Sequence, residues 1–154
     1  MSRLASETIR ELMAAAADDK TLCPGMVTFI QTFGEKVNVH PHLHALVSRG
    51  GWTPSGEWIP VSYVDPKAPE RLFRHKVLSF LRREEVISQE RLELLLSWRH
   101  SGFSVHNEVR LLAGDTKALE ALVRYMIRPA VSLVRLVFQP DGDEVLYFPR
   151  ARGP

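Results

Sequence analysis

With 154 residues, 45% of them hydrophobic and 25% charged, the chain has the size and balance of one globular domain, long enough to bury a core without covalent staples. Its single cysteine, Cys23, excludes a disulfide scaffold and a cysteine-rich zinc finger and points to a reducing compartment. A net charge of +2, from 20 Lys and Arg against 18 Asp and Glu, supplies no global field of the kind that announces a nucleic-acid binder, so any such role must rest on local clusters.

Met1-Ser2-Arg3 leads into an amphipathic segment rather than an apolar signal core, and no apolar run approaches the ~20 residues a membrane helix needs; the chain reads as cytoplasmic, with no membrane partner. Leu4, Ile9, Leu12, Met13 and Ala16 recur at helical spacing, which predicts a helix over 4–17 with Ser6 as its cap. Cys23-Pro24-Gly25 stops it. The β-branched and aromatic run Met26 to Phe33 predicts a strand, Gly34-Glu35-Lys36 a turn, and Val37 to Ser48 the return arm of a hairpin closed by Gly50-Gly51. Pro41 in that arm requires an edge position or a bulge, because proline cannot donate to a ladder. A shorter strand is expected from Glu57 to Tyr63.

Helices are expected over 69–82 and 88–98, the second capped by Ser88, and the first is loaded with Arg71, Arg74, His75, Lys76, Arg82 and Arg83. Phe103 to Leu112 reads as a strand of poor alternation, and Asp115 or Thr116 caps a helix running to about Ile127, ended by Pro129. A last hairpin pairs Val131 to Phe138 with Glu144 to Phe148 around Pro140-Asp141-Gly142. The order predicts an α+β fold: a central antiparallel sheet with helices packed on it. The expected organisation is an N-terminal helix and lead-in (1–22), a core (23–149) and a basic tail (150–154).

His40-Pro41-His42-Leu43-His44 concentrates three of the six histidines in five residues. On an extended backbone these three share one face, with neighbouring α-carbons about 6.6 Å apart, so adjacent imidazoles can share a metal. Neutral imidazole is a good divalent-metal ligand, but two rings need further donors; the paired strand offers Gln31 and Glu35. The bland alternative is a polar face of a half-exposed strand, and a closed structural zinc site would have to use histidine and carboxylate ligands. Near the end of the helix beginning at Thr116, Tyr125 lies one step from the buried stripe of Ala118, Leu119, Leu122 and Met126, with Arg124 and Arg128 one turn apart beside it. A phenol is a weak nucleophile at its ordinary pKa of about 10, yet a neighbouring cation and a metal-polarised phosphate would activate attack on phosphorus. By itself the same tyrosine also reads as core with a hydrogen-bonded hydroxyl.

Taken in order, GMVTFIQTFGEKVNVHPHLHALVSRGGW, LLSWRHSGFSVHNEV and ALEALVRYMIRPAVSLVRL resemble the catalytic domain of rolling-circle insertion-sequence transposases, members of the HUH endonuclease superfamily, from about Pro24 to Tyr147. The resemblance implies that His42 and His44 are metal ligands flanking the hydrophobic Leu43, and that Tyr125 is the nucleophile. It implies a divalent cation, magnesium or manganese, and a 5′-phosphotyrosyl link to single-stranded DNA at mobile-element ends. Because imidazoles alone favour transition metals, an oxygen donor is expected beside them, and Gln31, within the matching QTFG text, ranks ahead of Glu35. Arg124, Arg128, Arg71, Arg74 and Lys76 are the candidate contacts to the DNA backbone. Trp52, Trp58 and Trp98 have faces able to stack on bases, although core packing is the default for tryptophan. His100 and His106 carry no assignment.

The chain departs from the family pattern in two ways. Many relatives have a second tyrosine four residues before the first, where Ala121 stands here, so a one-tyrosine cycle is implied. Longer relatives also carry a cysteine-rich zinc module and a C-terminal extension, which makes this chain resemble a shortened form restricted to the catalytic core. Two other functions stay open at this level: a remnant that binds DNA without chemistry, and a metal-binding hydrolase in which Tyr125 only packs.

Overall fold

The structure, a computed structural model, describes residues 1–34, 38–62, 65, 67–129, 131–139, 142 and 144–148. Its elements are α1 (Ser2–Ala17), β1 (Cys23–Phe33), β2 (Val39–Trp52), β3 (Trp58–Pro60), α2 (Lys67–Arg83), α3 (Gln89–Ser97), α4 (Thr116–Met126), a 3₁₀ turn (Leu133–Arg135), β4 (Leu136–Gln139) and β5 (Glu144–Tyr147). The fold is α+β, with an antiparallel three-stranded sheet in the order β1-β2-β3 and a two-stranded sheet of β4 and β5. Among the described residues no helix is long and apolar enough to cross a membrane. The chain divides into two compact units, Met1–Thr28 with Ala45–Arg110, and Phe29–His44 with Leu111–Pro154.

In the first unit, the apolar stripe of α1 meets the sheet. Met13, Leu22 and Val61 form the core, with Ile9, Ala17, Val47 and Ile59 packed on it. Leu22 is 1% exposed, and burial of one such side chain contributes roughly 1.5–3 kcal/mol. The helix begins at Ser2, with Met1 as a cap that makes no side-chain hydrogen bond, so Ser6 lies inside the helix and not at its start. At its other end Asp18 adopts the left-handed conformation, φ 52°, and its N–H closes onto Ala14 and Ala15 carbonyls, a geometry that aspartate tolerates better than most residues. α1 also packs on α2, where Glu11 and the Lys76 ammonium pair at 2.7 Å. Ser88 caps α3 as expected, accepting from the Arg91 N–H at 3.2 Å.

Two expectations are corrected here. Gly50-Gly51 does not close the hairpin arm; both glycines lie inside β2, which continues to Trp52 and pairs with β3 through Gly50↔Pro60, Gly51↔Ile59 and Trp52↔Trp58. The physical reason is close approach: a Cβ on Gly51 would stand 2.7 Å from Leu22 Cγ and 2.9 Å from the Cys23 carbonyl group, and Gly50 (φ +152°) has the Trp58 ring against it. The segment from Phe103 to Leu112 is not a strand but irregular chain. Its start is held by a side-chain turn, in which the Ser101 hydroxyl accepts from Phe103 N–H and donates to Phe103 O, and by the Phe103 ring edge-on to Phe73 of α2 at 6.0 Å. Val109 and Leu112 are 77% and 82% exposed, so no alternating buried face exists to recruit a partner strand.

In the second unit, Asp115 caps α4 by accepting from the Ala118 N–H at 3.0 Å, and Met126 is its buried anchor at 3% exposure. β4 and β5 form the expected hairpin in the register Leu136↔Tyr147 to Gln139↔Glu144, although the stretch before it is a 3₁₀ turn and not strand. Pro41 lies in the part of β2 away from the Gly50–Trp52 stretch that pairs with β3 among the described residues. The expected turn residues Glu35, Lys36, Pro140 and Asp141, the strand residue Tyr63 and the basic tail 150–154 lie outside the described residues.

Gly51→Ala is expected to lower stability by about 1–3 kcal/mol, read as a reduced urea midpoint at unchanged slope, because the new methyl meets backbone that cannot yield. Asp115→Ala is expected to cost about 1 kcal/mol while Asp115→Asn stays near wild type, since either side chain supplies the capping oxygen; thermal melts of both variants check this.

Candidate functional site

All the residues of this site belong to the second unit. β1 contributes Gln31, on the face opposite to the exposed Ile30 and Thr32, and buries it to 4% exposure. Its Nε2 donates to the Met126 carbonyl at 2.7 Å. That carbonyl belongs to the last turn of α4, where backbone acceptors lack a partner within the helix, so the amide satisfies an acceptor that would otherwise be orphaned. A carbonyl can only accept, which fixes the orientation of the amide and leaves Oε1 as its other end. Gln31 Oε1 is buried without a hydrogen-bond partner among the described residues.

β2 contributes the histidines. The rings of His40 and His42 lie 5.0 Å apart and those of His42 and His44 4.9 Å apart, as alternation along a strand requires. His42 Nδ1 lies 2.7 Å from the His40 carbonyl. Since that oxygen only accepts, Nδ1 carries the proton in the neutral ring and Nε2 carries the lone pair. His44 is half-buried, and its Nε2 has no partner among the described residues. Burial, then the neighbouring His42, then the Arg128 cation hold the His44 imidazole below its usual pKa, which favours the neutral ring that can donate a lone pair.

α4 contributes Tyr125, beside the buried Met126 but itself 49% exposed. Its ring meets His44 edge-on, with centroids 5.4 Å apart and planes at 75°. From just beyond the helix, the Arg128 guanidinium carbon lies 4.7 Å from the Tyr125 ring centroid. Of the residues singled out in the sequence, His42, His44, Gln31, Tyr125 and Arg128 are thus brought into one connected cluster, and exposed Arg124 lies next to it on α4. Among the described residues no three of His, Cys, Asp or Glu are grouped to hold a metal, so a cation here would need the Gln31 amide oxygen in addition to imidazole. Glu35, the alternative oxygen donor, lies outside the described residues.

Arg74 and Lys76 belong to the first unit, and both have partners there. Arg74 Nη2 donates to the Leu95 carbonyl at 2.6 Å and to the Leu96 carbonyl at 3.3 Å, closing the end of α3, and Lys76 pairs with Glu11. Arg71 Nε bonds back to the Lys67 carbonyl at 3.3 Å. The tryptophans are not core: Trp52, Trp58 and Trp98 are 54%, 39% and 51% exposed, and the first two form a cross-strand edge-to-face pair. His100 and His106 are exposed residues of the first unit. The sequence reading missed the two backbone acceptors, the carbonyls of His40 and Met126, because a main-chain group leaves no signature in residue type.

Comparison with known proteins bears on the whole chain. Residues 25–151 match the Y2_Tnp family, described as "Putative transposase". The chain is also 29% identical, over 163 aligned positions covering 91% of it, to "Putative transposase y4qJ" of Sinorhizobium fredii (strain NBRC 101917 / NGR234). It spans 39% of the length of that relative. No solved structure matches. With a family match that covers most of the chain and includes every residue of the Gln31, His42, His44, Tyr125 and Arg128 cluster, the protein belongs to this family of transposases.

Proposed function

We propose that this chain is the catalytic core of an HUH-type, rolling-circle transposase that nicks and rejoins single-stranded DNA through a 5′-phosphotyrosyl intermediate. The observation that carries the reading is the edge-on contact of His44, whose buried Nε2 has no partner among the described residues, with the half-exposed Tyr125, on a helix end tied to Gln31, whose buried Oε1 is likewise unpartnered. Buried polar atoms in native structures are nearly always satisfied, and an amide oxygen and an imidazole nitrogen left without partners are both groups able to ligate a cation. His42, His44 and Gln31 would hold it, with the amide supplying the oxygen donor that magnesium or manganese prefers. Such a cation, when bound, would withdraw charge from the scissile phosphate and neutralise the charge that develops in displacement.

The protein's own part is positioning and charge. The Tyr125 phenol oxygen forms a bond to phosphorus as the bond from phosphorus to the 3′ oxygen breaks. The phenol proton passes to solvent, and the departing 3′ oxygen takes a proton from solvent. The fragment downstream of the nick stays attached to Tyr125 through its 5′ phosphate, and attack by a 3′ hydroxyl on that link reverses the step and rejoins DNA. Exposure of Tyr125 lets a flexible single strand reach it, and Arg124 and Arg128 flank it as phosphate contacts. Because Ala121 stands where a second tyrosine would face the same way, each copy holds one covalent strand end at a time.

Incubation with manganese and a labelled single-stranded oligonucleotide carrying a candidate element end should give an adduct that survives a denaturing gel, and Tyr125→Phe should abolish it; an adduct retained by Tyr125→Phe overturns the assignment. In titrations with manganese alone, His42→Ala and Gln31→Leu should each weaken binding by about tenfold or more, whereas Gln31→Glu should bind at least as well as wild type. Unchanged manganese affinity in both truncated variants would remove these residues from the metal site.

A further inference from the structure

We infer that Arg128 is a positioning residue for Tyr125, its guanidinium face clamping the phenol ring while its edge orients the phosphate under attack. This rests on the reading of Tyr125 as nucleophile given above.

The geometry begins with the way α4 ends. Ile127 closes the helix, its N–H bonded to the Val123 carbonyl at 3.0 Å, and Arg128 follows as the first residue past the cap. Pro129 comes next, and a proline restricts the preceding residue to extended backbone. From that position the Arg128 side chain returns over the ring of Tyr125, three residues earlier, at 4.7 Å. A tyrosine that is 49% exposed would otherwise sample several rotamers. Here the ring is held on two sides, by the His44 edge at 5.4 Å and by the guanidinium.

The guanidinium carbon sits over the Tyr125 ring, and the donors of such a group lie in its own plane, so contact through its face leaves them available. Among the described residues none of those donors makes a hydrogen bond or an ion pair. Arg74 is the counterexample within the same chain, since its Nη2 is committed to the carbonyls of Leu95 and Leu96. A half-buried arginine that sits over a tyrosine ring and whose donors have no partner among the described residues is able to present a bidentate site for an oxyanion next to the phenol. Lysine is a point charge and cannot do both.

The test uses the full chain with manganese and the same labelled single-stranded oligonucleotide, measuring single-turnover adduct formation and, by fluorescence anisotropy, DNA affinity. Arg128→Ala should slow adduct formation by about 100-fold, the scale of losing one preorganised donor to a developing oxyanion, while its Kd rises by less than about threefold. Arg128→Lys should recover only part of the rate, and guanidinium ion added at millimolar concentration should accelerate Arg128→Ala but not wild type. In protein labelled with 3-fluorotyrosine, the ¹⁹F resonance that disappears in Tyr125→Phe should move toward the free-tyrosine position in Arg128→Ala, with thermal melts checking that the variant folds. A rate loss matched by the loss of affinity, with that resonance unmoved, would make Arg128 an ordinary backbone contact and overturn the inference alone. A wild-type protein that forms no adduct overturns the nucleophile reading and this inference together.

Discussion

The hydrogen bond from the Gln31 amide to the Met126 carbonyl, 2.7 Å long and buried, is the constraint on which the arrangement of the site depends. It joins a strand to the last turn of α4, at residues 95 positions apart in the chain. A helix end is a natural place for such a tie, because its carbonyls need partners and a glutamine can bring an N–H to them. Loss of that tie would leave a buried acceptor unsatisfied, which costs roughly 1–3 kcal/mol, and would free the turn that carries Tyr125. The same amide then has its oxygen turned away from the helix and unsatisfied. One side chain therefore ties down the helix end that carries Tyr125 and keeps an oxygen without a partner among the described residues.

Around that tie the electrostatics are mutually consistent. The His40 carbonyl holds the proton on His42 Nδ1, and burial together with two neighbouring positive or potentially positive groups favours neutral His44. Both effects leave imidazole nitrogens with lone pairs in place of N–H donors. Arg128 supplies positive charge without competing for those lone pairs, because it sits over the tyrosine ring. Gln31 Oε1 and His44 Nε2 are both buried without a hydrogen-bond partner among the described residues.

The basic character of the first unit has a different cause. On α2, Arg74 completes the end of α3 and Lys76 answers Glu11 on α1, so two residues that look like phosphate contacts also hold helices together. Arginine suits the first task because its fork reaches two adjacent carbonyls at once. The glycine pair in β2 is likewise explained by packing: Leu22 and the Cys23 backbone occupy the space that a side chain at Gly51 would need.

The sequence by itself determined the element types wherever local chemistry is decisive. Periodicity marked α1 and α4, Ser88 and Asp115 marked the starts of α3 and α4 through side-chain oxygens that accept backbone N–H groups, and alternation put three histidines of β2 on one face. It misjudged Ser6, Gly50-Gly51 and the segment 103–112, because a cap, a strand interior and a strand each depend on what lies opposite, which local pattern does not contain. It also took three tryptophans for core when they lie at the surface, since burial is a property of the packed chain. Only the tertiary structure decided that Gln31 meets Met126, that His44 meets Tyr125, and that Gln31 Oε1 and His44 Nε2 are left without partners among the described residues. The reason is physical: hydrogen bonds and ring contacts between residues tens of positions apart form only when strands and helix end are packed together, and their backbone acceptors carry no mark in the sequence.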